Sequence, residues 1–246
     1  MNKKGLLLEV CVDDVAGLNA AIEGGADRIE LCSSLDLGGV TPSAGLMAEA
    51  ARSGIPVIAL IRPRAGGFVY TEAEERVMLH DIELAAELGL AGVAIGALND
   101  DGHLDFALLE RLAARAAGLQ LTLHRAFDLV PDQVEALEQA IKLGFHRVLT
   151  SGGVVHASAG AAQLAALVAQ SRGRIRILAG SGITPDNVGA LLAAAGVHEL
   201  HASCRAPGAE PAPELLAFGF AAASRSRHTS AAVVRDLKQR LLAHSQ

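Results

Sequence analysis

Three ionisable side chains follow directly on one apolar segment. The apolar run 121–123 is typical of a buried strand, and His124, Arg125 and Asp128 come immediately after it. A protein core does not need charge at this point, so we infer that the three side chains serve binding or chemistry. An imidazole and a carboxylate can transfer a proton, and a guanidinium can hold an anion.

Other strand-like segments carry similar groups. Glu9 and Cys11 share one side of the first predicted strand, and Glu30 and Cys32 share one side of the second, because side chains alternate along a strand. His124 with Glu9 or Glu30 is predicted to act as general acid and base, with Asp128 or Asp27 orienting the histidine. A structural network of ion pairs is the alternative interpretation. The predicted catalytic set is Glu9, Glu30, Arg62, His124, Arg125, Asp128 and His201.

A glycine-rich turn is the predicted anion-binding element. Gly180, Ser181 and Gly182 end the seventh predicted strand, and Pro185 is expected at the first position of the following helix. Glycines allow a ligand to approach the backbone, and a helix N-terminus attracts phosphate. A tight turn that only needs glycine dihedral angles is the other interpretation.

The cysteines are the predicted metal ligands. Cys11 and Cys32 lie on neighbouring predicted strands, and thiolates are ligands that Cu(I) prefers. Cys204, near His201, is a further candidate ligand. The alternative is that the thiols are small buried side chains. Three cysteines are an odd number, and no disulfide framework is expected.

Eight apolar segments alternate with helical ones, which predicts a single-domain (β/α)8 barrel over residues 1–246. Ligands of such barrels bind at the carboxyl ends of the strands, where the candidate residues would meet in one mouth. A long loop is predicted over 206–229, over that mouth, and a closing helix over 230–243. The predicted strands are 6–12, 27–32, 57–61, 92–96, 121–124, 147–151, 175–179 and 199–202.

Charge and hydropathy argue against several classes of partner. The formal charge is -6 and the basic residues are scattered, so nucleic acid and anionic membranes are not expected partners. No apolar run is long enough for a membrane span, and a signal peptide is not expected because acidic residues interrupt the N-terminal apolar run. The remaining histidines are predicted to lie at the surface; they are His80, His103, His146, His156, His198, His228 and His244.

Seven motifs in one order, spanning residues 8 to about 205, resemble the CutC family of copper homeostasis proteins. They are the segments at 8–11, 25–32, 38–43, 61–64, 124–128, 149–152 and 201–203. Two departures stand out. Gly67 occupies a position where the family commonly has an aspartate, and an Ala/Pro/Arg-rich stretch replaces an Asn- and Gly-rich one beyond Arg205.

The resemblance implies a TIM barrel, a cytoplasmic location, a homo-oligomer (dimer or tetramer) and a role in copper homeostasis, with Cu(I) bound at Cys11 and Cys32. It does not imply a reaction. The charged mouth favours a different hypothesis, an enzyme acting on a small anionic or phosphorylated metabolite. A divalent metal held by Glu9, Glu30, His124 or His201 would combine the two.

Overall fold

Eight parallel strands close into a barrel. In the computed structural model, which describes residues 5–220 and 227–244, each strand pairs with the next in chain order and the eighth pairs with the first. The predicted (β/α)8 barrel is confirmed, and every strand end lies within one residue of its predicted position. The strands are β1 (Leu7–Val12), β2 (Arg28–Leu31), β3 (Val57–Leu60), β4 (Gly92–Ile95), β5 (Gln120–Leu123), β6 (Arg147–Thr150), β7 (Arg176–Gly180) and β8 (Glu199–Ala202).

Helices connect the strands and cover the barrel. Several of them begin at a short polar side chain that accepts a hydrogen bond from a backbone N–H in the first turn, as at Asp14, Ser43 and Asp105. The helices are α1 (Val15–Gly24), α2 (Ala44–Ala51), α3 (Glu72–Glu87), α4 (Phe106–Arg115), α5 (Gln133–Lys142), α6 (Ala161–Ser171), α7 (Val188–Ala195), α8 (Pro213–Ala217) and α9 (Ala231–His244).

Two apolar regions of unequal size hold the fold together. The main core lies between the strands and the helices, and Leu8, Val10 and Val12 of β1 belong to it. The alternate residues of each strand point into the barrel. There the apolar cluster is small, consisting of Cys32, Ile58, Leu60 and Ala94 with partly buried neighbours. Polar and charged side chains therefore occupy much of the barrel interior.

The segment predicted as a long loop is partly regular. Arg205–Pro207 forms β9, which pairs antiparallel with β10 (Arg227–Thr229), and α8 lies between them in the chain. The prediction of an irregular loop over 206–229 is therefore wrong for these parts, while residues 221–226 lie outside the described residues. Backbone pairing of the two short strands explains the difference, because the sequence pattern of three-residue strands is too short to detect.

The closing helix occupies nearly the predicted range. α9 packs against α1, where Gly24 lies directly against Val234; a β-carbon on Gly24 would clash with that side chain. Val234, Leu237 and Leu241 are buried and form the apolar stripe. In the described part of the chain, no helix has both the length and the apolar character needed to cross a membrane.

Candidate functional site

A cavity of about 480 Å³ opens at the carboxyl ends of the strands. It brings together residues from widely separated segments, as the sequence predicts. The predicted site residues that line it are Cys11, Glu30, Arg62, His124, Arg125, Ser181, Gly182 and His201. The predicted residues that do not line it are Glu9, Cys32, Asp128 and Gly180.

Backbone carbonyls hold the Arg62 guanidinium in place at the cavity wall. Nη1 donates to the carbonyls of Leu37 (3.1 Å) and Gly39 (2.8 Å), and Nη2 donates to that of Gly66 (2.7 Å). The Phe68 ring centroid lies 5.0 Å from the guanidinium carbon. Nε is buried and has no hydrogen-bond partner in the described part of the protein. A buried donor without a partner is costly, so this N–H is suited to a ligand.

His124 presents a second N–H donor of the same kind. Its Nδ1 accepts a hydrogen bond from the Ala126 backbone N–H (3.1 Å). Burial, and next the charge of Arg62, lower the pKa of His124 to about 3, so the ring is neutral and carries its proton on Nε2. Nε2 is buried and has no partner among the described residues. A β-carbon on Gly96 would clash with the ring, which therefore needs glycine at that position.

The cavity floor contains a thiol, a carboxylate and an imidazole. One ligand atom each from Cys11, Glu30 and His201 lies within 4.8 Å of the other two. His201 Nε2 is 3.7 Å from a carboxylate oxygen of Glu30. Burial raises the pKa of Glu30 to about 7, with the charge of Glu9 acting in the same direction and that of His201 against it.

Glu9 lies behind His201, outside the cavity lining. Its carboxylate contacts His201 Nδ1 at 2.8 Å and forms an ion pair with Arg28. Burial opposes its charge, but Arg28 and His201 prevail and lower the pKa of Glu9 to about 2. Burial also opposes a charge on His201, but Cys11, Glu30 and Glu9 raise its pKa well above the usual value. Glu9 therefore supports the imidazole from behind, and its predicted acid–base role stays a prediction.

Further ion pairs continue into the barrel from Glu9. Arg28 Nη2 lies 2.7 Å from Glu199, and Arg147 Nε lies 3.3 Å from the same carboxylate oxygen. Sequence analysis did not identify Glu199 or Arg147 as part of this network. Strand alternation contained the signal for Glu199, because this residue precedes His201 by two positions and must point to the same side.

Asp128 stabilises the loop that follows β6 and does not line the cavity, whereas the sequence predicted that it lies in the mouth. Its carboxylate accepts hydrogen bonds from the Thr150 hydroxyl, from the backbone N–H groups of Ser151 and Gly153, and from Arg125. The backbone, not Asp128, orients His124. The other predicted orienting residue, Asp27, bonds to Lys238 and to the backbone on the outside of β1.

Only part of the glycine-rich turn, which is the predicted anion-binding element, lines the cavity. Ser181 and Gly182 line the cavity, and Ser181 adopts a left-handed conformation (φ 82°) with its hydroxyl bonded to the Val155 carbonyl. The helix after the turn begins at Val188, so Pro185 does not occupy the first helical position as predicted. Gly180 belongs to β7, where it packs against neighbouring strands.

The two candidate copper ligands have different surroundings. Cys11 lines the cavity floor, whereas Cys32 is fully buried, and its thiol donates to the Val12 carbonyl (3.5 Å). Burial raises the pKa of the Cys32 thiol. Cys204 lines the cavity but is not part of the three-residue cluster on the floor.

The sequence interpretation missed several residues of the cavity wall. His156, predicted as a surface residue, is exposed to solvent yet lines the cavity against Gly182. Arg205 and Arg227 also line it, because the β9–β10 ribbon brings them to the mouth. Nothing in the local sequence indicates these positions, since they depend on pairing across the excursion after β8.

Comparisons with known proteins agree with this architecture. The model of the CutC family matches residues 6–206. A family protein CutC from Agrobacterium fabrum is 53% identical over 245 residues, covering 99% of this chain and 97% of the relative. A crystal structure of a protein from Streptococcus agalactiae, described as a candidate copper homeostasis protein CutC, is similar with a TM-score of 0.76 and 35% identity over 80% of this chain and 98% of the other. Thiamine phosphate pyrophosphorylase from Pyrococcus furiosus shares the fold alone, with a TM-score of 0.60 and 16% identity over 98% of each chain.

Proposed function

The chain belongs to the CutC family, and from that premise we propose that its mouth binds a small anionic metabolite and acts on it as an enzyme. The observation that carries the proposal is the pair of buried N–H donors without partners, Arg62 Nε and His124 Nε2, on the wall of one cavity. Phe68 contacts both side chains, with its ring centroid 5.1 Å from that of His124. A ligand that supplies acceptor oxygens would satisfy both donors.

The charge of the cavity wall also favours an anion. Among the described residues that line it, Glu30 is the only carboxylate, whereas four arginines face the same space. Arg62 is bonded to carbonyl oxygens and not to a carboxylate in the described part of the chain. Its charge is therefore available to a ligand, in a partly enclosed site where electrostatic attraction is stronger than in water. The arginines are Arg62, Arg125, Arg205 and Arg227.

A thermal-shift screen of the full chain tests the proposal. The probes are inorganic phosphate, sulfate and a panel of small phosphorylated and carboxylated metabolites. A ligand at about 100 times its Kd stabilises the folded state by about 2.7 kcal/mol, which raises the Tm by roughly 5–10 °C for a chain of this size. Any metabolite that does so is then incubated with the protein, and its conversion is followed by NMR.

A pair of matched variants locates the binding site. Arg62→Lys keeps the positive charge but removes the Nε donor together with the Nη hydrogen bonds to the three carbonyls, so we expect it to lose most of the Tm shift. Arg64→Lys is the control, because Arg64 belongs to the same loop but is exposed and bonded to Glu74. Failure of every anion to raise the Tm, or a full shift retained in Arg62→Lys, would contradict the proposal.

Copper binding is the second candidate function. Cys11 places a free thiol on the cavity floor, and the Streptococcus agalactiae relative is described as a candidate copper homeostasis protein. In this proposal Cys11 and Cys32 bind Cu(I), which prefers thiolates. A Cu(I) titration against a competing chelator tests it. The parent should bind one equivalent tightly, and Cys11→Ala combined with Cys32→Ala should bind none; a parent that cannot compete with the chelator would refute it.

The family resemblance also predicts a cytoplasmic location and a homo-oligomer, dimer or tetramer. Both stay predictions. Cell fractionation would check the first, and light scattering coupled to size-exclusion chromatography would check the second.

A further inference from the structure

We propose that Cys11, Glu30 and His201 form a binding site for a borderline divalent cation such as Zn²⁺, and that this site is distinct from a Cu(I) pair at Cys11 and Cys32. The inference deepens the proposed function, since it supplies a metal beside the anion-binding wall, but its test does not depend on finding the anion.

The three ligand atoms already lie close together before any ion binds. Each residue is buried, and the potential ligand atoms are within 4.8 Å of one another. Neighbouring strands fix this arrangement: Cys11 of β1 is in register with Glu30 of β2, while β8 lies on the other side of β1 and carries His201. A site on three adjacent strands has little freedom to rearrange, so its geometry is set by the barrel.

Glu9 gives His201 the support that metal-binding histidines usually have. Its carboxylate contacts Nδ1 at 2.8 Å, which leaves Nε2 facing Glu30 on the cavity side. A carboxylate behind the distal ring nitrogen fixes the tautomer and the orientation of a metal-binding imidazole. Arg28 in turn holds Glu9, so the support is itself fixed. This contact is the second, independent indication that the cluster is a ligand set.

The donor atoms match a divalent ion better than Cu(I). One sulfur, one nitrogen and one oxygen are typical of Zn²⁺, which binds Cys, His and carboxylate in mixed sets. Cu(I) favours thiolate and thioether ligands. The second thiol that such a site would need, that of Cys32, donates to a backbone carbonyl and packs with apolar side chains. Copper binding at the two cysteines would require Cys32 to leave this environment.

Three protein ligands leave one position of a tetrahedral site unfilled, which is the arrangement of catalytic rather than structural zinc. All three residues line the cavity, so the fourth position faces the same space as Arg62 and His124. The proposed ligand there is water or an oxygen atom of the anion. The metal would polarise that oxygen while the wall holds the remaining charge.

Spectroscopy with Co²⁺, which replaces Zn²⁺ in such sites, provides the test. The purified full chain is stripped with a chelator, titrated with Co²⁺ and then with Zn²⁺. We expect one equivalent of Co²⁺ to give a thiolate-to-cobalt charge-transfer band together with tetrahedral d–d bands, and Zn²⁺ to displace it. Cys11→Ser should abolish the charge-transfer band and weaken Zn²⁺ binding more than 100-fold. Cys32→Ser is the matched control and should retain both the band and the affinity.

The variant Glu9→Gln tests whether Glu9 positions His201 for metal binding. Glu9→Gln keeps all three ligands, so the Co²⁺ spectrum should persist while the affinity falls roughly 10- to 100-fold. The Tm of every variant without metal is measured to confirm folding. The proposal is overturned if the folded parent binds neither Co²⁺ nor Zn²⁺, or if Cys32→Ser removes the band as Cys11→Ser does. A metal site without any anion-induced Tm shift would leave this inference standing and refute the proposed function.

Discussion

Replacing His124 tests the neutral imidazole on which the anion proposal depends. His124 is the N-cap of a short 3-10 helix, Arg125–Leu129. The substitution His124→Asn removes the titrating ring but keeps an acceptor for the Ala126 backbone N–H, because asparagine is a favourable N-cap residue. The variant should therefore fold, and it should respond to acid differently from the parent.

The sign and size of the effect follow from the lowered pKa. The pKa of His124 is about 3 in the folded protein, against the usual 6.5. Between pH 3 and pH 6.5 the unfolded chain therefore binds one proton more than the folded protein. Stability from this group is present above pH 6.5 and is lost as the pH falls, at about 1.36 kcal/mol per pH unit. From pH 6.5 to 4.5 the expected loss is roughly 2 kcal/mol.

Glu30 acts in the opposite direction over the same window. Its pKa is raised from 4.5 to about 7, so the folded protein binds the extra proton and gains stability as the pH falls from 7 to 4.5. The pH dependence of the parent alone therefore does not isolate either group. Because His124→Asn leaves Glu30 in place, the difference between variant and parent reports on the histidine.

The assay is urea denaturation followed by circular dichroism at half-unit pH steps between 4.5 and 6.5. The free energy of unfolding of the parent should fall by roughly 2 kcal/mol more than that of His124→Asn over this range. His80→Asn, an exposed substitution on α3, is the control and should follow the parent. Equal pH dependence of His124→Asn and the parent would show that folding does not lower the pKa of His124, and the assignment of a neutral ring that donates through Nε2 at these pH values would be refuted.

Three further perturbations follow from the packing. Gly96→Ala should displace the imidazole and lower the stability by about 1–3 kcal/mol in urea denaturation, whereas Gly67→Ala, which meets open space, should not change it. Arg28→Gln removes the cation beside the buried carboxylate of Glu9, and we expect a loss of about 3–5 kcal/mol with a fall in Tm; a loss below 1 kcal/mol would refute the buried pair. Asp14→Ala removes the N-cap of α1 and should cost about 1 kcal/mol by chemical denaturation.

Much of the barrel was predictable because its signals are local. Apolar runs such as 57–61 and 92–96 indicate the strands, and the alternation of strands and helices leaves few topologies. The convergence of Glu30, Arg62 and His201 on one cavity follows from the same rule, since parallel strands end on one face.

The partners of each charge were less predictable because they depend on geometry across the barrel. Alternation places Glu9 and Cys11 on one side of β1 but does not say that Glu9 lies deeper, behind His201. Asp128 stabilises a loop at Ser151 and Gly153, which lies many residues further along the chain. Its structural role therefore has no signature in the local sequence. Tertiary contacts of this kind decide which ionisable groups reach a ligand.

The short β9–β10 ribbon should allow the segment between its two strands to change in length and sequence. The two strands pair with each other, so they close the excursion that runs between them at its base. The entropy of closing a loop rises only slowly with its length. Insertions, deletions or a grafted domain between Pro207 and Arg227 should therefore be tolerated, while Arg205 and Arg227 remain at the mouth. Relatives can diversify what surrounds the entrance without rebuilding the barrel beneath it.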